Sequence, residues 1–188
     1  MVKLDVITTR AGDGGETSLG DGTRMRKDAP RIEALGAVDE ANAALGLLRL
    51  HLTGEAEARI AGIQNDLFDL GADLSVPMDD ARDRLRVTAA QCARLEAELA
   101  AMNADLPPLR SFILPGGTPA GAHAHLARTL ARRAERAVVR LAAEEAVNPD
   151  AVRYLNRLSD HLFVLSRVVN GGRDPLWVPG GSRDASAT

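Results

Sequence analysis

The stretch RIEALGAVDEANAALGLLRLHL, residues 31–52, decides the fold. Its apolar residues recur every three or four positions, which is the spacing of one face of an α-helix. Pro30 precedes the stretch, and proline is favoured in the first helical turn because its missing N–H would have no partner there. The stretch therefore predicts a long amphipathic helix. The residues of its apolar stripe are Ile32, Leu35, Val38, Ala41, Leu45 and Leu48.

Similar patterns predict four more helices. A second apolar stripe ends in Leu70 and Leu74, Thr88 is a candidate N-cap, and Thr118 is followed by a first-turn proline. A Gly-Gly pair ends the last pattern. Five helices with mostly short connections predict an all-α, up-and-down bundle. The four further helices are expected over residues 55–74, 88–103, 118–146 and 150–170.

Length and composition predict a single domain over residues 1–188. We expect an irregular loop over residues 1–30, the bundle over residues 31–171 and an irregular tail over residues 172–188.

A net charge of -3 argues against a nucleic-acid partner. Cys92 is the single cysteine, so an intrachain disulfide is excluded, and we expect its side chain to pack as a small apolar residue. No apolar run approaches the roughly 18 residues of a membrane span, and MVKLDVITTR resembles no secretory signal, so we expect a cytoplasmic protein.

The fourth helix carries an unusual basic segment, RTLARRAER, residues 128–136. Helical spacing places Arg128, Arg132, Glu135 and Arg136 opposite an apolar face of Leu126, Leu130, Ala134 and Leu141. One interpretation is a solvated face on which Arg132 pairs with Glu135. The other is a polyanion site, because three arginines one turn apart match a row of phosphates. The pattern alone leaves both open.

Four other segments contain candidate binding residues. The segment TTRAGDGGETSLGDGTRMRK, residues 8–27, combines glycines, hydroxyls and cations, which suits either an anion-binding loop or a flexible tail. Asp39 is either surface charge or a partner for an arginine, and Asn156 offers both a donor and an acceptor to a nucleotide. The apolar start of FILPGG, residues 112–117, belongs either to a core or to the wall of a site. The histidines form no metal-binding pattern, because His123 and His125 point about 200° apart on a helix.

These segments, in this order, resemble the PduO-type ATP:cob(I)alamin adenosyltransferases. The resemblance extends from about Thr8 to Asn170, nearly the whole chain. It is carried by TRAGDGGETSL, KDAPRIEALGAVDEANAALG, IQNDLFDLGADL, FILPGG, RTLARRAER and YLNRLSDHLFVLSR.

The resemblance implies a five-helix bundle that assembles as a homotrimer with active sites between neighbouring subunits. It implies transfer of the 5′-deoxyadenosyl group of ATP to cob(I)alamin, which releases triphosphate and forms adenosylcobalamin. Mg²⁺ would accompany ATP, K⁺ could assist, and no metal site made of protein ligands is implied. A reductase that supplies electrons and a mutase that uses adenosylcobalamin are possible partners.

The resemblance also implies roles for individual residues. Arg128 would form an essential ion pair with Asp39 of an adjacent subunit, and Arg132 would act with it on the triphosphate. Phe112 would fill the lower axial face of cobalamin, leaving a four-coordinate cob(II)alamin that is easier to reduce, and Phe163 would border the same apolar wall. The ATP-binding residues would be Thr9, Arg10, Ala11, Gly12, Thr17, Ser18, Lys27, Arg132, Arg133, Ala134, Glu135, Arg136 and Asn156.

One part of the chain departs from the family. Members often carry an apolar or aromatic residue near the C-terminus that covers the corrin, whereas this chain ends in GGSRDASAT. Trp177, in DPLWVPGG, could partly take that place. The alternatives to catalysis are a carrier or regulator that binds ATP or adenosylcobalamin without turnover, and a helical scaffold with a charged face.

Overall fold

The computed structural model describes residues 8–79 and 82–181. A short antiparallel hairpin, β1 (Glu16–Ser18) and β2 (Arg24–Arg26), precedes five helices. The predicted five-helix architecture is confirmed. The largest difference between predicted and observed helix bounds is at the fourth helix, which was expected to reach residue 146 and ends at Ala142. The helices are α1 (Pro30–Arg49), α2 (Gly54–Leu74), α3 (Ala89–Ala104), α4 (Pro119–Ala142) and α5 (Pro149–Val169). None of these described helices has the length and apolar character needed to cross a membrane.

The hairpin shows that the prediction of an irregular segment over residues 1–30 is wrong in part. Thr17 lies opposite Met25 in the register of the two strands, and the turn between them contains Gly22 at a φ of 94°. Glycine adopts this conformation without a side-chain clash. Strands of three residues are too short to show an alternating apolar pattern, although the Asp-Gly pair in the turn is a hairpin signal.

The hairpin is fixed to the bundle at the C-terminal end of α2. Leu19 is buried, and the N–H of Gly20 donates a hydrogen bond of 3.0 Å to the carbonyl of Ser75. A side chain at Gly20 would meet the hydroxyl of Ser75 at 2.7 Å, so the absence of a Cβ permits this close approach. The hairpin therefore keeps a defined position relative to the helices.

Hydrogen bonds between the ends of different helices show in which direction the helices run. Arg31, at the start of α1, bonds the carbonyl of Leu74 at the end of α2 and the carboxylate of Glu145 just after α4. Thr118, the N-cap of α4, bonds Asn170 just after α5. Consecutive helices thus run in opposite directions. α4 packs between α1 and α5, while α2 lies on α1 and α3 lies on α5.

The core face of α4 is made mainly of alanines. It includes Ala134 and Leu141 of the predicted apolar face, so that prediction is wrong only in part. Leu126 was expected to be buried but is 46% exposed, and Arg128 was expected to face away from the core but is half-buried. Small side chains let α1 and α5 approach α4 closely, since interaxial distance depends on the residues at the contact. The buried residues of this stripe are Ala124, Ala127, Ala131, Ala134, Val138 and Leu141. In contrast, the predicted stripe of α2 is buried throughout.

A buried carboxylate, Asp73, joins the end of α2 to the following loop and to the start of α5. Its side chain is 3% exposed and accepts hydrogen bonds from Arg86, from the backbone N–H of Val87 and from the amide of Asn148, at 2.6–2.8 Å. Asn148 also caps α5 by accepting a bond from the backbone of Asp150. One buried side chain therefore aligns three segments.

We predict that Asp73→Ala lowers the free energy of unfolding by about 3–5 kcal/mol, because it leaves buried donors and the Arg86 charge without a partner. Urea unfolding followed by circular dichroism measures the change. Asp69→Ala is the matched control on the same helix, since among the described residues Asp69 accepts one hydrogen bond, from Gln91 at 3.3 Å. A loss at Asp73 no larger than that of the control would show that the cluster contributes little to stability.

Candidate functional site

A cavity of about 690 Å³ lies between the first turns of α4, the last turns of α5, the segment before α4 and the C-terminal segment. Most of its wall is apolar or aromatic, and it contains two arginines and a histidine. Such a mixture is typical of sites that bind organic ligands. The lining residues are Leu109, Arg110, Ser111, Phe112, Ile113, His125, Arg128, Phe163, Trp177 and Pro179.

Phe112 belongs to the wall of this cavity and not to the core. Its side chain is 77% exposed, and its ring meets the ring of Trp177 edge-on with centroids 6.0 Å apart. Phe163 lies on the α5 side of the cavity, where its ring meets that of His125 at 6.4 Å. The structure therefore brings the two predicted phenylalanines to one cavity.

The C-terminal segment pairs with the Phe112 segment. Ile113 and Leu176 form an antiparallel bridge, and the N–H of Leu114 donates to the carbonyl of Pro175 at 2.8 Å. The described part of the predicted irregular tail forms no helix or strand, but Leu176 is paired through this isolated bridge. Residues 182–188, which include most of GGSRDASAT, were also predicted to be irregular, and they lie outside the described residues.

A buried ion pair fixes the start of this C-terminal segment. The Nε of Arg167 donates to Asp174 at 3.2 Å, and the two side chains are 5% and 2% exposed. The second carboxylate oxygen of Asp174 accepts from Asn170, which also bonds Thr118 and the carbonyl of Gly116. The residue after α5, the start of α4 and the C-terminal segment are thus held by one polar cluster.

Two polar groups in the cavity wall have no hydrogen-bond partner within the described chain: both ring nitrogens of His125 and the Nε of Arg128. His125 is 2% exposed. Burial, and secondarily the charge of Arg128, lower the pKa of His125, so its neutral form is favoured. Burial also lowers the pKa of Arg128, with a further contribution from Arg132. Buried polar groups normally find partners, so these two are candidates for bonds to a ligand or to another subunit.

The other arginines of α4 lie on its exposed surface. Arg132 and Arg136 face solvent one turn apart, and Arg136 donates to the carbonyl of Arg132 at 3.1 Å. Arg133 forms an ion pair with Glu40 of α1. The carboxylate of Glu135 accepts a 3.0 Å bond from Asn156 of α5, so the Arg132–Glu135 pair considered from the sequence is replaced by this contact between helices.

The N-terminal candidates fold together as a compact loop against the hairpin. Arg24 donates to the carbonyl of Ala11 at 3.0 Å, and the backbone N–H of Lys27 donates to the carbonyl of Gly15 at 2.9 Å. A side chain at Gly12 would meet the Nζ of Lys27 at 3.0 Å, so the ammonium group lies directly beside this loop. Predicted ATP-binding residues from Thr9 to Lys27 therefore share one small surface.

Asp39 lies apart from Arg128 within one chain. It lines a groove of about 360 Å³ between α1 and α2, whereas Arg128 faces the cavity between α4 and α5. The same groove contains Phe68, an aromatic side chain that is 71% exposed. A pair between Asp39 and Arg128 would therefore require two subunits, and that pair stays a prediction.

Sequence reasoning did not identify His125 or Phe68 as site residues. His125 precedes Arg128 by three positions, and this helical spacing would have placed both on one face. Phe68 follows the buried Leu67 and lies outside the apolar stripe of α2. The helical pattern therefore gave no signal for it. His51 and His123 stack with ring centroids 4.9 Å apart, but within the described residues no group of three or more His, Cys, Asp or Glu side chains could hold a metal ion. Cys92 is buried, as expected.

Known proteins resemble this chain over nearly its whole length. The family profile described as Cobalamin adenosyltransferase matches residues 7–169. The chain is 51% identical over 180 residues to the cobalamin adenosyltransferase of Cupriavidus metallidurans, covering 93% of this chain and 95% of that one. It is 48% identical over 191 residues to the corrinoid adenosyltransferase of Mycobacterium tuberculosis, with coverages of 98% and 99%.

A solved structure shares the fold. It is a variant PduO-type ATP:corrinoid adenosyltransferase from Lactobacillus reuteri complexed with cobalamin and ATP. The superposition has a TM-score of 0.86 at 34% sequence identity and covers 90% of this chain and 98% of that chain.

We predict that Arg128→Met raises the pKa of His125, because a neutral side chain no longer opposes protonation of the ring. The pKa should stay below the ordinary value of 6.5, since burial, the larger cause, remains. A pH titration of the imidazole resonances by NMR measures the shift, and His125→Gln assigns them. An unchanged midpoint in the Arg128 variant would contradict this prediction.

The lowered pKa of His125 also makes the free energy of unfolding depend on pH. Between the lowered folded pKa and 6.5, the unfolded chain binds more protons at His125 than the folded chain does. This histidine therefore reduces the free energy of unfolding as the pH falls below 6.5.

Proposed function

The chain belongs to the cobalamin adenosyltransferase family, and from this premise we propose that it transfers the 5′-deoxyadenosyl group of ATP to cob(I)alamin. The products are adenosylcobalamin and triphosphate. One observation carries the proposal: α4 joins an apolar cavity to a row of arginines. Arg128 lines the cavity, and Arg132 and Arg136 continue from it at one-turn spacing along exposed α4.

This arrangement matches the two chemically different substrates. A corrin is a large macrocycle with apolar faces, and the aromatic cavity offers it contact area. The triphosphate of ATP is a polyanion, which guanidinium groups bind through charge-assisted, often bidentate hydrogen bonds. Because Arg128 stands where the two surfaces meet, the bond between cobalt and C5′ would form near it.

The arginines would contribute most to the reaction step. As the cob(I)alamin nucleophile attacks C5′, negative charge grows on the departing triphosphate, and preorganised cations stabilise that charge. Fixing both substrates in attack geometry can lower the barrier by roughly 7–11 kcal/mol. Mg²⁺ would arrive bound to triphosphate oxygens and share their charge, and K⁺ could assist the same group.

ATP would be held from two sides. The loop from Thr9 to Gly12, with Thr17, Ser18 and Lys27, would contact the nucleotide through backbone N–H groups, hydroxyls and an ammonium group. The second side would be the α4 and α5 surface, where the Glu135–Asn156 contact orients both side chains. The residues of this second side are Arg132, Arg133, Ala134, Glu135, Arg136 and Asn156.

Phe112 would lie against the lower axial face of cobalamin and displace the lower ligand, with Phe163 on the same apolar wall. Its 77% exposure in the single chain leaves the ring free to contact a ligand. Removal of the lower ligand makes reduction of cob(II)alamin to cob(I)alamin easier. A separate reductase would supply the electron, and a mutase would use the product.

We propose a homotrimer in which each chain is one domain and Asp39 of one subunit pairs with Arg128 of its neighbour. Two observations support this assembly. The Nε of Arg128 is buried without a partner in the described chain, and Asp39 lies beside the exposed ring of Phe68 in an apolar groove. Burying Phe68 would supply hydrophobic free energy for association, and the ion pair would set the register.

The direct test is an anaerobic assay of ATP with chemically reduced cobalamin, which should yield adenosylcobalamin and triphosphate. We predict that Arg128→Ala and Arg132→Ala each lower kcat by about 10²–10³-fold, the usual effect of removing one donor to developing negative charge. Arg140→Ala is the control, because Arg140 is an exposed arginine in the last turn of the same helix. Stoichiometric binding without turnover by the wild type would instead indicate a carrier.

The trimer has its own test. We predict that Phe68→Asp converts the protein to monomers, because a charge in the proposed interface would be buried without a partner. Light scattering coupled to size-exclusion chromatography measures the mass. Leu85→Asp places the same charge at another exposed apolar residue, outside the groove, and should leave the assembly intact. Trimers of normal stability in the Phe68 variant would rule out this interface.

A further inference from the structure

We infer that Trp177 is a positioning residue for the reaction: its ring holds the Phe112 ring in the place where it meets the corrin. This inference rests on the proposed function, in which Phe112 occupies the lower axial face. It assigns a role in the reaction to the C-terminal segment that carries Trp177.

The backbone brings Trp177 and Phe112 together. The N–H of Trp177 donates to the carbonyl of Phe112 at 2.8 Å, and the hydroxyl of Ser111 donates to the carbonyl of Trp177 at 2.8 Å. The Ile113–Leu176 bridge and a bond from Leu114 extend the pairing. Backbone pairing on both sides of Phe112 fixes the distance between the two segments.

The register of the pairing places the two aromatic residues side by side. Because Ile113 lies opposite Leu176 in an antiparallel bridge, Phe112 lies opposite Trp177. Trp177 lines the cavity with Phe112, whereas Leu176, its neighbour, does not. The two aromatic rings then meet edge-on with their centroids 6.0 Å apart, which is a favourable geometry for an aromatic pair.

The segment that carries Trp177 is itself anchored. Asp174, three residues earlier, is held by the buried ion pair with Arg167 and by the amide of Asn170. This cluster also bonds the carbonyl of Gly116, just after the Phe112 segment. Both ends of the Phe112–Trp177 unit are therefore tied to α5, and the Trp177 ring has a stable base from which to restrict Phe112.

Phe112 needs such a restraint because little else holds it. With 77% of its side chain exposed, the ring would otherwise exchange among rotamers, and only one of them would fit against the lower face of the corrin. An edge contact with a large ring selects that rotamer before the substrate binds, so less side-chain entropy is lost on binding.

The test compares two starting states of the substrate. With cob(II)alamin, ATP and a one-electron chemical reductant, Trp177→Ala should raise KM for the corrinoid about three- to tenfold, the range expected for loss of one aromatic pair. With preformed cob(I)alamin the change should be smaller, because reduction has already occurred. Trp177→Phe should have a KM for the corrinoid close to that of the wild type. Leu176→Ala is the matched control and should behave as the wild type does.

A double-mutant cycle separates positioning from direct contact. If Trp177 acts through Phe112, then Phe112→Ala and Phe112→Ala/Trp177→Ala should have the same KM for cob(II)alamin. The absorption spectrum of cob(II)alamin on the ATP-loaded protein should show less of the four-coordinate form in Trp177→Ala than in the wild type. Additive effects of the two substitutions, or unchanged kinetics in Trp177→Ala, would overturn the inference.

The same measurements distinguish a failure of this inference from a failure of the proposed function. A wild-type protein without adenosyl transfer from preformed cob(I)alamin would refute the function and the inference together. An active wild type whose Trp177→Ala variant matches it with both starting substrates would refute only the role of Trp177. Circular dichroism of Trp177→Ala, compared with that of Leu176→Ala, verifies that both variants are folded.

Discussion

Close packing of the alanine stripe on α4 against α1 and α5 is the constraint on which the bundle and its candidate site both depend. Small side chains at every third or fourth position hold three helices at short distance and fix the rotation of α4. Once that rotation is set, His125 and Arg128 fall at the edge of the contact, and Arg132 and Arg136 fall outside it. A shift of one residue would turn each of them by about 100°.

The consequence of this placement is an uneven distribution of polar partners along α4. Glu135 and Arg133 find partners on neighbouring helices of the same chain. His125 and the Nε of Arg128, which are buried deeper, find none within its described part. Folding therefore satisfies polar groups in the C-terminal half of α4 and leaves some in the N-terminal half, beside the aromatic cavity, without partners in the described chain. A family whose substrates are a macrocycle and a polyanion gives these groups a use, since ligands or a second subunit would supply the missing bonds.

Local pattern predicted the helices well because each has its own periodic signal, and the stripe of α2 is buried as expected. The same reasoning placed Ala134 and Leu141 of α4 correctly in the core, but it also placed Leu126 there, which is exposed. Hydropathy favoured this leucine, whereas close packing selects small side chains at the central helix. The hairpin and the bridge between Ile113 and Leu176 were also missed. Short strands carry almost no periodic signal, and residues 63 positions apart reveal no pairing in a single sequence.

The sequence by itself determined the helix count, the helix order and the family, because these follow from spacing, caps and the order of characteristic segments. It also contained the residues of both candidate surfaces. Only the tertiary structure decided that Phe112 lines a cavity with Trp177, that His125 is buried beside Arg128, and that Asp39 lies on another face. These facts depend on contacts between distant segments, whose geometry is set by packing and by buried polar clusters rather than by local propensity.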